Sequence, residues 1–471
     1  MGAPLVHAKL LVLAPLAALL SVSTGARAAE VQVDGFYRAR FRAFDTLSLS
    51  RTLASGEGLS ALAQHRLWLR PRFLLSDDVQ LVAEIRALDG VAWGDQVADY
   101  GDLGDPPPNV FEYDLTAPTS DTDPTASLLD ITLWRIYGQV DTDIGRWTFG
   151  RVPLMWGSGI WLNDGISVDP LSADYGDSTD RVQWEKLFED QFYLRASVDV
   201  PAERLVNVGD DTTAFGLGLA YKTEAMTAGA VLQLDHTGRR SDEVGALNVF
   251  TADLAGDAVL GKMDVAAEVV GQFGGGDFDN GIDGAGITAV GAVLEAGLEV
   301  DRFRAQVQGG LATGDGNPND KSLREFTFDR DYSVGMFLFE QPMPTLAAAT
   351  PTTTNGGRDY SQVVTGTALS NALFLKPQVT MNIVDGFSAR VAWLGARVAK
   401  SPPTSTGVAQ VRSYGNEFQI GANYSGIPHF EIDAQGGLFL PGGAYTFDEE
   451  ARATEFTDPA FGLQVTGRIS F

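Results

Sequence analysis

The chain contains no cysteine, so no disulfide framework, thiolate metal site or cysteine nucleophile can serve it. Histidine is nearly as scarce, and outside the N-terminal leader only His65, His236 and His429 remain for acid-base work. No Gly-x-Ser-x-Gly elbow occurs either. The nearest approach to a catalytic acid and base is the neighbouring pair Asp235 and His236, with Asp210 and Asp211 one hairpin away. These are read as solvated loop-base residues, so no enzyme, no catalytic residue and no cofactor is expected. Positive charge is also in deficit: 34 Lys and Arg stand against 61 Asp and Glu, and the net charge of −27 argues against nucleic acid as a partner.

Long apolar runs are missing too. Beyond residue 30 no stretch of about 18 apolar residues appears, which excludes helical membrane spans. The one apolar run, Leu10 to Leu20, follows His7 and Lys9 and ends at Ala26-Arg27-Ala28. It is too short to cross a bilayer of ~30 Å as a helix, and the small residues mark a cleavage site. Residues 1–28 are therefore expected to be a secretory signal peptide. Residues 29–471 show no Pro/Ser-rich linker and no break in composition, and are expected to form one unit.

What the mature sequence does have is alternation. Tyr37, Ala39, Phe41 and Ala43 interleave with Arg38, Arg40 and Arg42, which only a period of two explains. The same pattern recurs from Lys262 to Phe273 and from Arg302 to Leu311. Reading every such run gives about 18 strands, with 16 as the alternative count. The connections alternate between short and long. Short ones centre on Ser76-Asp77, Asp141-Thr142, Phe188-Glu189, Thr223, Gly256, Val300-Asp301, Asp385-Gly386 and Ser425-Gly426. Long ones include 90–127, 152–179, 274–285 and 314–367. That asymmetry predicts an all-β, antiparallel transmembrane barrel in the outer membrane, with short periplasmic turns, long external loops and lipid as its surroundings.

Phe461, Leu463, Val465, Gly467, Ile469 and Phe471 occupy every second place up to the terminal aromatic. This resembles the end signal of Gram-negative outer-membrane barrels, and the resemblance implies the barrel assembly machinery as a biosynthetic partner.

Period two also sorts the charges. Arg38, Arg40 and Arg42 on the first strand and Arg66, Arg70 and Arg72 on the second point away from lipid, as do Arg86 on the third and Arg468 on the last. Asp264 and Glu268 with Glu295 and Glu299 face inward from strands roughly across the barrel. Two readings stay open: a field that selects polar or anionic solutes, or a brace in which wall and loop carboxylates neutralise the arginines. Something must also narrow a barrel of this size. The candidate is 150–170, where Trp156 and Trp161 sit among glycines, with an aromatic girdle at the lipid interface as the alternative. The Asp-rich stretches 277–283 and 315–320 are read as polar loop tips, calcium being the lesser alternative.

The strand Tyr37 to Phe44, the run Arg66 to Arg72, the segment Phe149 to Gly157 and the stretch Gly314 to Asp320 resemble those of the alginate-export and related porin-like families. The resemblance implies an 18-stranded barrel with an arginine-rich lumen passing an anionic polysaccharide. The Ala/Thr/Pro-rich insertion 342–357 departs from it. The expected function is a porin-like channel for small polar or anionic solutes, saccharides among them. The alternative is a surface receptor or adhesin working through its long acidic loops. Oligomeric state is left open.

Overall fold

The computed structural model describes residues 30–47, 49, 59–94, 131–167, 171–172, 174–200, 212–238, 245–278, 282–316, 320–341, 368–401, 403–404, 407–408, 413–445 and 458–471. The expected signal peptide lies outside the described residues.

Eighteen antiparallel strands close into one barrel. In chain order they are β1 (Glu30–Asp45), β2 (Leu59–Leu74), β3 (Val79–Gly94), β4 (Ile131–Thr142), β5 (Gly145–Pro153), β6 (Ser178–Phe188), β7 (Phe192–Val200), β8 (Thr212–Lys222) and β9 (Met226–Thr237). They continue as β10 (Leu247–Leu260), β11 (Met263–Phe278), β12 (Ile282–Val300), β13 (Phe303–Ala312), β14 (Ala372–Val384), β15 (Phe387–Val398), β16 (Gly415–Ile427), β17 (Phe430–Pro441) and β18 (Ala460–Ser470). Each strand pairs with its sequence neighbours, and β1 pairs with β18 from Phe36↔Ser470 to Asp45↔Phe461, which leaves the sheet without an edge. Phe471 extends that seam by exchanging two backbone hydrogen bonds of 3.0 Å with Gly35.

The alternation read from the sequence is the alternation of the wall. On β1 Arg38, Arg40 and Arg42 are buried inside, while the intervening Tyr37, Ala39, Phe41 and Ala43 lie on the outer face. Outside, Val182, Leu217, Leu219, Phe250, Leu254, Leu294, Ile420 and Leu463 are exposed on strand after strand. An apolar belt this continuous is favourable only against lipid, since each Å² left in water costs about 25 cal/mol.

Two connections differ from the sequence reading. Gly256 lies within β10, opposite Ala228 and Ala267, and the turn comes at Gly261 and Lys262 instead. The stretch 274–285, expected as a long connection, is mostly strand, with a bulge between Gly276 and Phe278. Its glycine run signals crowding rather than a loop: a Cβ at Gly274 would lie 2.1 Å from the Asn248 carbonyl oxygen. The other short turns fall within a few residues of their expected places, from 75–78 to Pro428-His429.

The interior is not empty. The β13–β14 connection turns into the barrel and carries Phe326, Phe328, Val334, Met336, Phe337 and Leu338 against Phe44, Phe374, Leu394, Phe439 and Tyr445. This apolar cluster is held by edge-on and stacked aromatic pairs such as Phe44 with Phe337 and Phe337 with Phe439.

Candidate channel lumen

The β5–β6 connection also folds inward, and the wall holds it at two sides. On the β11 side the Glu268 carboxylate accepts hydrogen bonds from the Gly159 and Ile160 amides at 2.9 and 3.4 Å. Gly157, in the left-handed region at φ +58°, makes that approach possible, because a Cβ there would meet a Glu268 oxygen at 2.6 Å. On the opposite side residues 171–172 and 174–177 lie on the arginines of β1, β2, β3 and β4. Arg38 donates to the Leu171 carbonyl at 3.3 Å, Arg40 to that of Ser172 at 3.0 Å, Arg66 to that of Asp174 at 2.7 Å and Arg86 to that of Tyr175 at 2.7 Å. Arg135, paired with Glu84 at 2.8 Å, donates to the carbonyls of Asp164 and Asp177 at 2.9 and 2.8 Å.

Asp174 is the centre of this contact. Its carboxylate pairs with Arg38 and with Arg40 at 2.6 Å, and Arg42 and Arg66 stand at 3.6 and 3.7 Å. Burial alone would raise the Asp174 carboxyl, yet Arg40, Arg38, Arg66 and Arg42 together hold it well below the usual carboxylate range. The two inward connections are joined to each other by Asp331, which accepts the amides of Asp174, Tyr175 and Gly176 at 2.7, 3.1 and 2.6 Å. Burial pushes the Asp331 carboxyl up in spite of those donors.

The β13–β14 connection has its own anchor on the wall. Glu417 of β16, fully buried, accepts the amides of Met336, Phe337 and Leu338 at 2.5, 3.1 and 3.0 Å. Tyr332 donates to Glu295 of β12 at 2.6 Å and accepts from Gln308 at 2.7 Å. Glu340 nearby is pushed up to about 8 by burial.

Beside the two connections remains a cavity of about 450 Å³ along the inner wall of β14 to β18. Its lining is polar almost throughout, including Gln378 and Thr380 on β14, Gln419 and Asn423 on β16, and Gln435 and Gln464 on β17 and β18. The charges in this wall are partnered. Arg390 makes two bonds to Asp433, of 2.5 and 2.7 Å, and a third to Gln435 at 3.1 Å, and Glu431 holds Arg468 at 2.6 Å.

The lumenal charges expected from the sequence therefore separate into groups. Arg42 reaches the cavity, whereas Arg38, Arg40, Arg66 and Arg86 are buried beneath the β5–β6 connection. Arg70 and Arg72 share Asp34 at 2.6 and 3.1 Å, and 37% and 40% of their side chains are open. Across the barrel Arg304 bridges Asp264 and Glu299 at 2.8 and 3.3 Å. Trp156 and Trp161 are both on the inward connection: Trp156 lies against the wall at Gly229 with Arg195 over its ring at 5.7 Å, and Trp161 packs on the internal apolar cluster.

Sequence reasoning missed Asp174, Asp331, Glu417 and the inward course of 324–341. The density of Phe and Met in that stretch was the available signal, by the same criterion that singled out Trp156 and Trp161. Asp235 and His236 alternate across the sheet, so they face opposite sides, and His236 bonds Asn248 at 2.8 Å. Asp277 accepts the amides of Gly245 and Gly284, while Arg324 lies 3.2 Å from Asp320. Residues 279–281 and 317–319 of the two Asp-rich stretches lie outside the described residues, and among those described no group of three potential metal ligands converges.

No family model matches the sequence, and no curated protein does. Among solved structures, OccK5 (OpdH) of Pseudomonas aeruginosa is similar over 94% of this chain and 98% of its own, at 10% identity and a TM-score of 0.50. OccK1 (OpdK) of the same organism matches over 94% and 98%, at 9% identity and 0.49. The anion-selective porin from Comamonas acidovorans matches over 94% and 100%, at 12% identity and 0.45. At such identities the likeness is one of fold. The closed antiparallel sheet and its lipid-facing belt make the chain an outer-membrane β-barrel.

Proposed function

We propose that this barrel is a passive channel for small polar solutes, anions and saccharides among them, exported by way of the leader 1–28 and inserted by the barrel assembly machinery. The observation that carries the reading is a polar cavity left open beside two connections that are hydrogen-bonded to the inner wall. A lumen filled that way has a fixed constriction, which is what solute selection requires. The arginines Arg38, Arg40, Arg66 and Arg86 are proposed to act on permeation by holding the constriction in place, and Arg70 and Arg72 by the charge they present to lumenal water. A cavity of about 450 Å³ is of small-molecule size, so the polysaccharide implied by the alginate-export resemblance is not carried into this proposal.

Purified barrel in planar bilayers tests it. Stepwise, voltage-independent single-channel conductance in potassium chloride is the expected result. A barrel that inserts and never conducts would overturn the proposal and favour a plugged receptor.

A further inference from the structure

We propose that the cavity along β14 to β18 is a subsite for neutral polyhydroxylated solutes of about monosaccharide size, in preference to carboxylates of the same size. This rests on the channel reading above. The volume of about 450 Å³ falls within the ~300–1,000 Å³ of sites that enclose small ligands.

The argument comes from how the lining amides are oriented. Gln435 accepts from Arg390 at 3.1 Å and Gln464 from Arg42 at 2.8 Å, so each turns its NH₂ group to the cavity. Gln378 spends its NH₂ on Gln306 and Thr380 at 3.0 and 3.4 Å, Gln419 donates to Glu417 at 2.6 Å, and Asn423 donates to Glu431 at 3.0 Å. Those three leave carbonyl oxygens to the cavity. Every one of these amides is thus fixed by a wall partner at one end and presented at the other.

The result is a mosaic of donors and acceptors on one face. A hydroxyl group both donates and accepts and can satisfy both kinds, whereas an ionised carboxylate only accepts and meets three carbonyl oxygens unpaired. Charge does not reverse this preference. The four basic lining residues Arg42, Arg330, Lys376 and Arg390 face the carboxylates of Asp174, Asp331, Glu431 and Asp433, while burial keeps Glu340 protonated at neutral pH. Arg390, which also holds Gln435, has both terminal nitrogens committed to Asp433.

Swelling of liposomes carrying the refolded barrel, in isotonic D-glucose, sodium gluconate or glucosamine hydrochloride, tests the inference. Glucose is expected to enter fastest. The double variant Gln378→Leu with Gln419→Leu is expected to slow glucose roughly tenfold, as the loss of ~1.4 kcal/mol of binding would, while heat-modifiable migration, which reports the folded barrel, stays unchanged. Restoring hydrogen bonding with Gln378→Asn and Gln419→Asn should recover part of the rate. Gluconate entering as fast as glucose, or a double variant that does not slow glucose, overturns the subsite and leaves the channel standing. Absence of both swelling and conductance overturns the channel reading and the subsite together.

Discussion

Asp174, in the middle of a connection, and Arg40, in the middle of the first strand, meet at 2.6 Å inside the barrel. With Arg38, Arg42 and Arg66 around the same carboxylate, one acid keeps four guanidinium groups from repelling one another. Asp174→Asn is therefore expected to destabilise the loop-closed barrel by about 3–5 kcal/mol, the usual effect of removing one partner from a buried charge cluster. The measurements are the temperature of loss of heat-modifiable migration and single-channel conductance, which should become larger and noisier as 171–177 leaves the wall. An unchanged melting temperature with unchanged conductance would count against the anchor.

The two inward connections should respond to pH in opposite directions. Asp174 is held below its ordinary value, so its contribution is present above the usual carboxylate range and is lost as pH falls through the folded value. Glu340 is pushed up to about 8 by burial, so its contribution is full at acid pH and is lost as pH rises through about 8. Conductance recorded at constant ionic strength should therefore be steadiest near about pH 4 to 5, where Asp174 is ionised and Glu340 has not begun to lose its contribution, and open more often on either side. Glu340→Gln should weaken the alkaline arm and leave the acid arm as it is, the raised Asp331 carboxyl carrying what remains. An alkaline arm of unchanged size in that variant would place its origin elsewhere.

The barrel was legible because lipid outside and water inside impose period two on every strand, as Tyr37 to Phe44 shows. Its termini and turns were legible to within a few residues because Asp, Gly and Ser concentrate there. The filling of the lumen was legible only in part. Glu417 and Asp331 act on backbone amides, and an amide carries no sequence signature, so nothing in the order of residues announced which loop they would grip. Gly274 to Gly276 misled for the opposite reason. Glycine serves both turns and close strand packing, and only the Asn248 carbonyl across the sheet decides between them.

Topology follows from the corrected turns. An epitope inserted after Gly281 or Thr352 should be accessible to antibody on intact cells, and one after Gly261 or Asp385 should not. Gly261 suits an insertion because nothing lies within 4 Å of a Cβ built there. Surface labelling at both classes of site would reverse or refute the placement of long connections outside.

Two arginines on adjacent strands separate the brace from the selectivity reading. Arg40 is almost wholly buried behind Asp174, so Arg40→Glu sets a second carboxylate against the first and should lower the melting temperature while altering ion flow only through the displaced loop. Arg70 bonds Asp34 at 2.6 Å with more than a third of its side chain open, a pair that solvent screens and that adds little to stability. Arg70→Glu should leave the melting curve near that of the parent. It also replaces a positive by a negative charge beside Asp34 in lumenal water, so the reversal potential in a salt gradient should move toward cation selectivity. Melting curves and reversal potentials measured on both single variants decide the matter. A reversal potential untouched by Arg70→Glu removes Arg70 from the selectivity residues, and a melting curve untouched by Arg40→Glu removes the brace.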